Sequence, residues 1–100
     1  MAQHTQQSTN SNTPAIVSDS TALAANPART HWMIQNLGTN VLFVLMGSGA
    51  STTVFHVVLK GGTGNDDGIG ASYSSDAVCY TGIISIAGTS PRYTVTEIAP

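Results

Sequence analysis

Arg29-Thr30-His31-Trp32-Met33-Ile34-Gln35-Asn36-Leu37-Gly38-Thr39-Asn40-Val41-Leu42-Phe43-Val44-Leu45-Met46 is the stretch whose reading decides the fold. Trp32 and Ile34 alternate with His31, Met33 and Gln35, the period-two pattern of a strand with one buried side. Beyond Gly38-Thr39-Asn40, which reads as a turn, Val41, Phe43 and Leu45 alternate with Leu42, Val44 and Met46, so both faces of the second run are apolar. The two runs read as a hairpin. A strand apolar on both faces needs two layers around it, supplied by a second sheet or by a neighbouring subunit. Trp32, Leu42, Phe43, Val44 and Met46 are therefore the candidate core and interface residues.

On the N-terminal side, residues 1–13 contain no Leu, Ile, Val or aromatic residue. Nothing there offsets the entropy of ordering the chain, and the segment reads as a flexible polar arm preceding a domain over 14–100. Gln3, His4, Gln6 and Gln7 are its candidate partner-binding residues. Ala15-Ile16-Val17 through Ala25 reads as a strand entering a turn, closed by Asn26-Pro27. On the C-terminal side, Thr52–Lys60 and Val78–Ala87 alternate as strands, with Gly82 in the middle of the second, and Arg92–Ile98 ends the chain with Tyr93 and Val95 facing inward. Between them, 61–76 is glycine-rich and reads as one long surface excursion. About six short strands with turn signals near every tenth residue predict an all-β fold, a single antiparallel β-sandwich, jelly-roll-like or a small barrel.

Composition narrows the function. The 100 residues carry three Lys or Arg and five Asp or Glu, for a formal net charge of −2. Three basic residues cannot build the multi-phosphate footprint that nucleic acid requires, so no nucleic-acid partner is expected. The longest apolar run, Val41–Met46, is far below the roughly 20 residues that span a bilayer, and residues 1–13 lack the basic and apolar regions of a secretory signal. One cysteine, Cys79, leaves no intramolecular disulfide. So few charges on a small chain favour self-association.

Sites of chemistry are sparse. Gly62-Thr63-Gly64-Asn65-Asp66-Asp67-Gly68 has no Gly-Lys-Ser/Thr for a phosphate loop, and its oxygen donors are adjacent rather than alternating, with no distal Glu for a calcium cage. It reads as a turn-rich loop. His31 and His56 fall within strand patterns at no zinc-like spacing, and Cys79 sits between Val78 and Tyr80 as a small hydrophobe. No catalytic, metal or cofactor-binding residue is assigned, and no enzyme is expected.

From Asn26 onward the chain resembles small virion structural proteins of tailed bacteriophages. The similar residues are Asn26-Pro27-Ala28-Arg29 leading into Ile34-Gln35-Asn36-Leu37-Gly38-Thr39-Asn40, then Phe43-Val44 with Gly47 and Ala50. A glycine-rich loop, Tyr80-Thr81-Gly82-Ile83-Ile84-Ser85-Ile86-Ala87-Gly88 and a terminal Thr94-Val95-Thr96-Glu97 strand complete the pattern. The resemblance implies an all-β module outside the capsid: a cement or decoration protein, or part of a fibre or adaptor attached to head or tail. It carries no catalytic residue. The expectation is a decoration protein of the virion, a homotrimer bound to the major capsid protein or other virion proteins. The alternatives are a head or tail fibre or adaptor subunit, or a small carbohydrate-binding module.

Overall fold

The computed structural model describes residues 3–10 and 16–99, with side chains from Ser18 onward. Eight strands follow in chain order: β1 (Gln3–Asn10), β2 (Ile16–Leu23), β3 (His31–Asn36), β4 (Leu42–Met46), β5 (Val57–Leu59), β6 (Ser72–Ser74), β7 (Ile84–Thr89) and β8 (Arg92–Ala99). They form two four-stranded sheets, β1-β8-β3-β6 and β2-β7-β4-β5, with every strand pair antiparallel. All connections except β4 to β5 cross between the sheets, and this order is that of a jelly roll. The expected all-β sandwich is the observed fold.

The core lies between the sheets. Trp32 and Ile34 from β3 and Tyr93 and Val95 from β8 pack against Leu23, Leu42, Val44, Leu59, Ile84 and Ile86 from the opposite sheet. For Trp32, Ile34, Tyr93 and Val95 the inward face is the one the period-two pattern marked.

Four expectations are corrected. First, the Arg29–Met46 stretch is not a hairpin, since β3 and β4 belong to different sheets and face each other across the core. The cause is Asn36, a buried amide at the end of β3. Its Nδ2 donates to the carbonyls of Asn40 (2.8 Å) and Leu59 (3.0 Å), and its Oδ1 accepts the Gly38 N–H (2.9 Å). These bonds turn the chain out of one sheet and tie the turn to β5 in the other.

Second, residues 3–10 of the expected arm are a strand, β1, paired in unbroken register with β8 from Gln3↔Ala99 to Asn10↔Arg92. Main-chain pairing needs no apolar side chains, so a polar composition did not reveal it. The remaining positions of that stretch, 1–2 and 11–13, lie outside the described residues.

Third, the strand expected over Val78–Ala87 begins only at Ile84, and Val78 is 88% exposed. The carbonyls that would have continued the ladder are taken elsewhere: those of Tyr80 and Gly82 accept Arg29 Nη1, and that of Thr81 accepts the Asn26 N–H. Gly82 therefore precedes β7, where a Cβ would collide with the Tyr80 ring.

Fourth, Thr52–Lys60 is a strand only over Val57–Leu59. Ser51 Oγ accepts the N–H groups of Thr53 and Val54, a local turn that competes with the ladder and leaves His56 outside the strand. The glycine-rich 61–76 stretch, conversely, contains β6.

Candidate functional site

The two outer faces of the sandwich differ. On the β2-β7-β4-β5 sheet, Phe43 and Leu45 point away from the core and are covered by the segment that follows β4. Leu45, Ala50 and Ala87 form a second buried cluster with Phe43 against it, and the Phe43 and Phe55 rings pack at 5.1 Å with their planes tilted by 49°. Two anchors hold this cover. A register shift in β2 places Asp19 with φ 52°, so that its N–H donates to the Ala50 carbonyl (2.8 Å) and its carboxylate accepts the Gly49 N–H (2.6 Å). Buried Ser85 donates to the Gly47 carbonyl (2.7 Å) and accepts the Ala50 N–H (3.2 Å). The second apolar face of β4 is thus covered by the chain's own loop. Beyond the cover, Val54, Phe55 and Val58 remain exposed, with Val58 opposite Phe43 in the ladder.

On the β1-β8-β3-β6 sheet the outer face of β8, β3 and β6 is polar and, among the described residues, uncovered. Two cross-strand rows run over it: Thr94, Gln35 and Ser72 in register, and Thr96, Met33 and Ser74 in register. A groove of about 240 Å³ lies among Met33, Gln35, Ser72, Thr94 and Thr96. A recess of about 40 Å³, sharing Met33 and Thr96, continues it toward His31 and Ile98. Met33 is 50% exposed, and the Thr94 hydroxyl oxygen is buried with no hydrogen-bond partner.

The groove's margins are held rigidly. Gln35 Nε2 donates to the Gly70 carbonyl (3.3 Å), and the Asn36 N–H to that of Ala71 (2.9 Å). Gly70 passes so close to the Asn36 carbonyl that any Cβ would collide with it. The preceding loop folds around Asp67, whose carboxylate accepts the N–H groups of Ile69, Gly64 and Thr63 and the Thr63 hydroxyl. Those bonds, the one from Ile69 foremost, hold its carboxyl down at about 2. Asp66 pairs with Arg92, whose hydrogen bond also lowers the Asp66 carboxyl. The acidic loop thus spends its oxygens on its own architecture. Among the described residues no group of His, Cys, Asp and Glu is arranged to hold a metal ion.

At the other end of β3, Arg29 is buried and donates to Glu97 (2.9 Å) and to the carbonyls of Ala24 (2.7 Å), Tyr80 (2.9 Å) and Gly82 (3.1 Å). It joins the end of β2, the segment before β7 and β8. A buried guanidinium with every nitrogen partnered in this way is structural.

The residues singled out in the sequence separate by location. Trp32, Leu42 and Val44 lie in the main core and Met46 packs half-buried against it, while Phe43 lies on the opposite, loop-covered face. Gln3, His4, Gln6 and Gln7 are on β1, at register positions facing Ala99, Ile98, Thr96 and Val95. Cys79 packs half-buried against the core; His31 flanks the open groove, and exposed His56 accepts the Met46 N–H through Nδ1 (3.1 Å). Thr94, Thr96 and Ser72 carried no signal in the sequence, because a hydroxyl row appears only once three strands are placed side by side.

Strand order and faces together define the class, an eight-stranded jelly roll with one self-covered face and one open face. No family model, curated protein or solved structure matches the chain.

Proposed function

We propose that this chain is a structural subunit of a viral particle, a decoration protein that binds the outside of an assembled shell. The observation that carries the reading is the strand order β1-β8-β3-β6 over β2-β7-β4-β5, the jelly roll that recurs in capsid domains. It is a fold-level analogy, joined to the phage resemblance from Asn26 onward. The sparse charge of the chain and the exposed Val54, Phe55 and Val58 beside Phe43 add support, since apolar surface with few charges suits a subunit that is completed by neighbours. A homotrimer seated on the major capsid protein, with its contacts made by β1, the strand on which Gln3, His4, Gln6 and Gln7 lie, is the proposed arrangement. Binding to the assembled shell and not to dissociated subunits would stabilise the shell by mass action.

The test is quantitative mass spectrometry of purified particles, with co-sedimentation of the isolated protein on shells lacking it. Hundreds of copies per particle and saturable re-binding are expected for a decoration protein. A dozen copies or fewer would identify a fibre or adaptor part instead. Absence from particles, with no co-sedimentation, would overturn the proposal.

A further inference from the structure

The open groove on the β1-β8-β3-β6 sheet has a chemical character of its own. We propose that it is a binding site for an uncharged saccharide, formed by Met33, Gln35, Ser72, Thr94 and Thr96. Among the described residues no charged side chain lines the groove, so an ionic ligand would give up hydration there without a counter-charge from them. Hydroxyl and amide groups both donate and accept, as sugar hydroxyls do. The half-exposed Met33 thioether supplies a soft apolar surface for the C–H face of a sugar ring.

An independent observation points to a ligand. The Thr94 hydroxyl oxygen is buried without a partner, a state that destabilises the protein by itself and that a ligand hydroxyl would relieve once the Thr94 side chain turns toward the groove to meet it. Gln35 is held in place by its bond to the Gly70 carbonyl, and its Oε1 is left to accept from a sugar. The groove, at about 240 Å³, is smaller than the roughly 300 Å³ at which drug-sized clefts begin. It therefore suits a mono- or disaccharide unit rather than a long chain. The site requires no particle, so it stands or falls separately from the decoration reading.

The test uses the isotope-labelled full chain, titrated with lactose, cellobiose, maltose and N,N′-diacetylchitobiose, and with glucose 6-phosphate as a charged control, each followed by NMR. Saturable shifts confined to Met33, Gln35, Ser72, Thr94 and Thr96 with at least one neutral sugar, and none with the phosphate, are expected. Thr94→Val removes the hydroxyl with little change of shape. It is expected to raise the thermal midpoint while weakening saccharide binding about tenfold, a combination a purely structural threonine would not give. No shift at these residues with any neutral sugar, or a variant that is less stable or binds as well as the wild type, would overturn the proposal.

Discussion

The outer face of the β2-β7-β4-β5 sheet and that of the β1-β8-β3-β6 sheet meet the same physical problem in opposite ways. The first contains Phe43 and Leu45, which would be left in water on a strand already buried on its other side. The chain closes over them with the loop carrying Ala50 and Phe55. The second presents hydroxyls, amides and one methionine, which need no cover, and it stays open. Burial of apolar surface thus decides where the chain folds back on itself, and the face released from that demand is the one left available for a ligand.

The largest break in this contrast comes from the core that both sheets share. Val44→Asp places a carboxylate among Trp32, Ile34 and Ile86 with no partner, and a loss beyond about 4 kcal/mol, seen as an unfolded circular dichroism spectrum, is expected. Arg29→Ala leaves Glu97 without its guanidinium partner and frees three carbonyls. A loss of about 3–5 kcal/mol in urea unfolding is expected, as for other broken buried pairs.

Smaller changes separate the two outer faces. Ser85→Ala orphans the Gly47 carbonyl and the Ala50 N–H beneath the covering loop. It should cost about 1–3 kcal/mol and speed amide exchange at Gly49 and Ala50, whereas Met33→Asp on the open face should stay within about 0.5 kcal/mol.

The smallest effect is expected in acid. Asp67 has its carboxyl lowered from 3.8 to about 2 in the folded chain. A lowered carboxyl stabilises the fold above its unfolded value, and that contribution fades as pH falls from about 4 through about 2. The protection of the Thr63 and Gly64 amides, relative to their intrinsic exchange rates, should fall over that window, and Asp67→Asn should remove that pH dependence at these two amides.

The sequence made the core legible and the topology only in part. Trp32, Ile34, Tyr93 and Val95 are inward by alternation alone, a local property, whereas on β4 alternation separates two apolar faces and does not say which is inward. Which strands pair is not local: β3 and β4 looked like a hairpin because the Asn36 side chain, which sends them to different sheets, acts through carbonyls at Asn40 and Leu59 that only the fold brings near. The same holds for Arg29, whose hold on Tyr80 and Gly82 ends a strand that alternation would have extended. β1 escaped notice for a different reason, since a strand held by main-chain bonds at a sheet edge leaves no hydrophobic trace. The apolar double face of β4 was visible, and so was its need for cover. Inward, Leu42 and Val44 meet the opposite sheet as expected. Outward, the cover is a third possibility, the chain's own loop.

The contrast between the two faces is tested most directly by methyl NMR of the isolated chain in the presence of a soluble gadolinium chelate, which broadens solvent-facing groups. The Met33 methyl should be strongly broadened, while the methyls of Ala50, Ala87 and Leu45 are protected. Equal broadening of Met33 and Ala87 would show the covering loop to be open in solution and would contradict the assignment of one closed and one open face.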